Sequence, residues 1–114
     1  MPTRYYLRLP DVEHARGGDA ALAFHSQSAE GIAAELQDAL RSDELFQRWR
    51  ARQDDPDAVD PALGATDPGA TVQGSQHDLH AELVATTSLP GNLLKQRLRW
   101  LAGSHWELHD VVAA

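Results

Sequence analysis

The sequence predicts an α+β fold: a two-layer sandwich in which an antiparallel sheet carries two helices on one face. Three observations lead there. "TRYYLRLP" and "LHAELVATT" alternate apolar and polar residues with the two-residue period of half-buried strands. "AEGIAAELQDAL" and "LPGNLLKQRLRWLAG" space their apolar residues three and four apart, as helices with one buried stripe do. Strands and helices also follow one another in an order that leaves the tail "GSHWELHDVVAA" to supply a last strand.

The first strand, Thr3–Pro10, puts Tyr5, Leu7 and Leu9 on one face and Arg4, Tyr6 and Arg8 on the other. Gly17-Gly18 marks the turn that follows it. The stretch "LAFHS" (22–26) has the composition of a short extra strand but is too brief to assign. Ser28 caps a helix whose stripe is Ile32, Leu36, Ala39 and Leu40, with Glu30 at the positive end of its dipole. The stripe loses phase at Arg41-Ser42 and resumes with Leu45, Phe46 and Trp49, which predicts a bent helix or two abutting ones ending near Gln53.

Residues 54–70 hold three prolines, two glycines and five aspartates with no base. That composition predicts a mobile acidic loop within a single domain spanning 1–114. Its Asp spacing does not fit a calcium loop. A hairpin bent around Gly74–Asp78 follows, its second arm placing Leu79, Ala81, Leu83 and Ala85 inward and His80, Glu82, Val84 and Thr86 outward. Ser88 is the expected cap of the second helix, Leu94, Leu98 and Leu101 its stripe, and Gly103 its C-terminal stop.

The tail reads two ways. As a helix it would set His105 and His109 one turn apart. As a strand over 105–109 it puts His105, Glu107 and His109 on one face, with Trp106 and Leu108 inward. The strand is preferred, because a helix ending at Gly103 leaves no connection for another, and Trp106, Val111 and Val112 favour strand. The order is then βαββαβ, a ferredoxin-like arrangement.

Composition excludes several function classes. Without cysteine there is no disulfide, thiolate nucleophile or Cys-ligated zinc. No run of about 18 apolar residues could cross a membrane, and the opening decapeptide lacks the apolar region of a signal peptide. The expectation is a cytoplasmic protein, and nine Arg against one Lys point to a GC-rich bacterial genome. A formal charge of −7, with acidity concentrated in residues 54–70, argues against nucleic acid as a partner.

The candidate site is the exposed sheet face: Arg4, Tyr6, Arg8, His80, Glu82, His105, Glu107 and His109. On a strand, His105 and His109 lie roughly 13 Å apart, too far to share one zinc at about 2 Å from each nitrogen. Two arginines in the middle of the face also oppose a cation, so no metal or cofactor is assigned. Arg4 and Arg8 are instead expected to pair with Glu107 and Glu82 across the sheet. No nucleophile elbow and no enclosed acid–base pair is legible. The sequence therefore predicts a small non-enzymatic regulatory or accessory domain acting through a protein partner or self-association. The alternative is a small-molecule or metal-binding domain using the His/Glu face.

Overall fold

β1 (Thr3–Leu9) is the strand around which the other elements assemble. The computed structural model describes residues 2–114. After β1 come α1 (Ala29–Arg41), α2 (Glu44–Ala51), β2 (Thr71–His77), β3 (His80–Thr87), α3 (Gly91–Ala102) and β4 (Glu107–Ala113). The result is α+β, with four antiparallel strands ordered β2-β3-β1-β4, which is 4-1-3-2 counted from the β4 edge. Tyr5, Leu7 and Leu9 of β1 and Ala81, Leu83 and Ala85 of β3 are buried against Ile32, Leu36 and Leu40 of α1 and Leu94, Leu98 and Leu101 of α3. The alternate residues of both strands face away from the helices.

Of the two forms expected for the first helical stretch, two abutting helices form, so the described residues hold three α-helices. Ser28 caps α1 by accepting the Gly31 N–H at 3.1 Å, and the chain leaves helical geometry at Ser42. There the Ser42 hydroxyl donates back to the Asp38 carbonyl at 3.1 Å, competing with helix continuation. α2 restarts after Asp43 and buries Leu45 and Phe46. At the second helix the expected cap is wrong: Pro90 occupies that position, and the Ser88 N–H donates instead to Asp67 at 2.9 Å. Gly103 does end α3, at φ +63° with ψ −120°, a conformation that favours glycine.

The hairpin turns later and more tightly than its composition suggests, through Asp78 (φ +59°) and Leu79 alone. Leu79 is consequently 66% exposed rather than inward. Gly74, expected at the bend, lies inside β2 where α1 comes closest. A Cβ there would stand 2.4 Å from the Ala29 carbonyl oxygen. Residues 22–26 form no strand; Leu22, Ala23 and Phe24 are buried as irregular chain, and the Phe24 N–H donates to the Leu101 carbonyl at 2.9 Å.

The acidic segment also departs from an unpacked loop. Two one-turn 3-10 helices, Pro56–Ala58 and Pro61–Gly64, each begin on a proline, whose fixed φ suits a first helical position. Leu63 packs against the core. Asp67 closes the segment onto the sheet: its carboxylate accepts the Thr87 hydroxyl at 2.8 Å, the Ser88 N–H at 2.9 Å and the Gly69 N–H at 3.0 Å. The bonds from Ser88 and Thr87 hold its carboxyl below the ordinary carboxylate range. Nearby, the buried Arg97 donates to the Ala65 carbonyl at 2.9 Å, with its guanidinium 5.3 Å from the Trp100 ring. Trp100 in turn stacks on Trp49 at 4.8 Å.

Gly74→Ala should destabilise the protein by about 1–3 kcal/mol, the range for forcing a group into packed backbone. The urea midpoint checks it, and an unchanged midpoint contradicts the close approach. Asp67 gives a pH signature. Because its folded pKa is lowered, its contribution is present above the unfolded value near 3.9 and disappears as pH falls through the folded one. Asp67→Asn should therefore flatten the acid limb of a stability-against-pH curve, and identical limbs would show that Asp67 is not an anchor.

Candidate functional site

The sheet face away from the helices is organised by register into rows. Ser75, Glu82, Arg8 and Glu107 stand side by side across β2, β3, β1 and β4. The next row is Gln73, Val84, Tyr6 and Asp110, and the one after it Thr71, Thr86, Arg4 and Val112. His77 faces His80 at the hairpin end. Broad shallow depressions run along this face, one beside Arg8, Glu82 and Asp110 and another beside Arg4, Thr71 and Thr86, with Tyr6 and Val84 lining both.

Six of the eight residues expected on this face are on it by register: Arg4, Tyr6 and Arg8 on β1, His80 and Glu82 on β3, and Glu107 on β4. The other two are not placed by register, because pairing to β1 begins only at Glu107 and passes through a bulge, although His109 still lines the depression beside Tyr6, Arg8 and Glu82. His105 lies in the turn after α3, its N–H donating to the Ala102 carbonyl at 3.0 Å and its ring beside Gly103. His109 is the extra residue of a β-bulge: Leu7 pairs with Leu108 and Tyr6 with Asp110, leaving His109 between them. Trp106 also precedes the strand and is half-buried, its indole N–H donating to the Gly103 carbonyl at 3.0 Å.

The expected ion pairs do not form as drawn. Arg4 stands between Thr86 and Val112, with no carboxylate beside it in register. Arg8 does stand between Glu82 and Glu107, yet among the described residues neither carboxylate comes within 4.0 Å of its guanidinium, and its Nε is buried with no partner. The carboxylates turn to imidazoles instead. Glu82 lies 3.6 Å from His77 Nε2 and 3.9 Å from His80 Nε2, and Glu107 lies 3.8 Å from His109 Nε2. The His77 and His80 rings stack at 5.3 Å, and the Ser75 hydroxyl is 3.2 Å from His77 Nε2. Among the described residues no three His, Asp or Glu side chains converge as metal ligands would.

At the outer edge, the bulge is followed by Val111 and Val112, 46% and 37% exposed. Among the described residues β4 pairs in the sheet with β1 only, and its Leu108 packs against the core. The Val111 N–H, pointing away from β1, is taken by the Asp110 carboxylate at 2.8 Å. Sequence reasoning missed this, as it missed Arg97, although Arg97 lies on the apolar stripe three residues after Leu94 and four before Leu101. No helix among the described residues is long and apolar enough to cross a membrane. Neither a protein-family model, nor a curated protein, nor a solved structure matches the chain.

Half-burial changes what Trp106 should contribute. Trp106→Ala should cost about 1–3 kcal/mol, below the 3–5 kcal/mol of a fully buried Trp, while Leu98→Ala should cost about 2–5 kcal/mol. Chemical denaturation of both variants ranks them. A Trp106 loss exceeding that of Leu98 would place the indole in the core.

Proposed function

We propose that this chain is a ferredoxin-like domain of the cytoplasm whose role is regulatory or accessory, exercised by protein contact through the open sheet face rather than by catalysis. Strand order, counted 4-1-3-2, supports the architecture. The functional reading rests mainly on one observation: a sheet face with no helix over it carries Tyr6, Val84 and Val112 as an apolar patch among charges of both signs. Tyr6 and Val112 are more than a third exposed. An amphipathic aromatic beside aliphatic groups, rimmed by charge, is the composition of contact surfaces.

A second reading takes a small molecule or metal ion at the His/Glu end of the same face. Its support is the pair of imidazoles, His77 and His80, turned to the one Glu82 carboxylate. A chelator-reversible rise in melting temperature with stoichiometric zinc would favour it over the first.

The contact reading is tested with a photo-crosslinking residue at position 84, in cells. A discrete adduct is expected, absent with the same probe at exposed Gln47 of α2 and lost when Tyr6→Asp is added. Equal labelling from both positions, or none from position 84, contradicts it.

A further inference from the structure

We infer that the open face pairs with a second copy of this chain, through a two-fold axis running parallel to the strands over the gap between β1 and β3. This rests on the reading of that face as a contact surface. The argument is one of register. Such an axis lays β1 of each copy over β3 of the other and keeps each row at its own height. Arg8 then stands opposite Glu82 of the second copy, and Glu82 opposite its Arg8, because the two share a row on adjacent strands. Tyr6 and Val84, which share the next row, meet Val84 and Tyr6 of the second copy at the axis. Face-to-face sheets pack about 10 Å apart with their strands within about 30° of alignment, so pairs close to the axis keep their match despite the twist.

Charge supports self-pairing over a foreign partner. A surface that meets itself must be its own complement. Here a cation and an acid lie side by side across the axis, and exchanging the copies exchanges them. Among the described residues Arg8 stands between two carboxylates with neither within 4.0 Å of its guanidinium, which leaves its charge unpaired within the chain. The acidic stretch 54–70, which carries five of the 17 acids, lies outside this face, so the net charge of −7 overstates the repulsion there.

The contact is small. Four strands of about seven residues give a footprint of roughly 20 by 23 Å on each copy. The two copies together then bury roughly 900 Å², below the ~1,200 Å² at which stable complexes begin, so the dimer is weak and concentration-dependent.

The test is a charge exchange read by sedimentation equilibrium from micromolar to millimolar protein, with circular dichroism confirming the fold of each variant. The parent chain should approach twice its monomer mass. Arg8→Glu sets acid against acid twice across the axis, and Glu82→Arg sets cation against cation. Each should raise the dissociation constant about 100-fold or more, the scale of like-charge juxtaposition. Mixed in equal amounts, the two single variants should associate with each other, since every cross-axis pair is again opposite in charge. The double variant should associate with itself. A parent that stays monomeric throughout overturns the inference, as does a dimer indifferent to both substitutions or a mixture that fails to associate. If the parent is monomeric while position 84 still crosslinks to another protein, the contact reading survives and the second copy is wrong.

Discussion

The pleat of β1 sets both faces of this molecule. Every second residue from Tyr5 to Leu9 enters the core, and every second residue from Arg4 to Arg8 joins the open face. β1 is also the only strand that β4 pairs with, and it is one of the two neighbours of β3. A one-residue slip in its pairing would exchange Tyr5, Leu7 and Leu9 for two guanidinium groups and a phenol in the core, so the hydrophobic layer fixes the register. The rows on the far side inherit that register.

The helix layer is held by contacts that restrict its approach as much as by apolar burial. Gly74 lets the α1 backbone settle on β2, and Gln37 of α1 accepts the Val72 N–H at 3.0 Å. On the other side of the layer, Arg97 reaches the Ala65 carbonyl and Asp67 gathers three donors. These bonds turn a segment rich in proline and aspartate into a strap across the end of the sandwich. The strap leaves the sheet's far face uncovered, which is why the candidate site is a surface and not a cavity.

Periodicity made β1, β3, α1 and α3 legible, since each is long enough to show its buried stripe. The break at Ser42 was legible too, through a loss of phase. What escaped depended on partners distant in sequence. Ser88 has the chemistry of a cap, but Asp67, 21 residues earlier, takes its N–H. The tail alternates from His105 in the sequence, yet pairing to β1 begins at Glu107 and passes through a bulge, which no local pattern reveals. Arg8 and Glu82 were placed correctly as neighbours, but neighbouring Cα positions do not ensure that side chains meet. Glu82 lies 3.6 Å from His77 and 3.9 Å from His80, and Glu107 lies 3.8 Å from His109, while neither is within 4.0 Å of Arg8 among the described residues.

Both edges of the sheet carry an end-stop on their hydrogen-bond ladders. On β2 an outward amide, Val72, is occupied by Gln37, and on β4 an outward amide, Val111, is occupied by the neighbouring Asp110. The bulge at His109 further spoils the regular spacing a docking strand would need. Lateral growth, strand upon strand, is the route by which exposed sheets become fibres, and here it meets an obstructed amide at either end. A second copy placed over the open face, as inferred above, would close the association after one partner, whereas pairing along an edge would not.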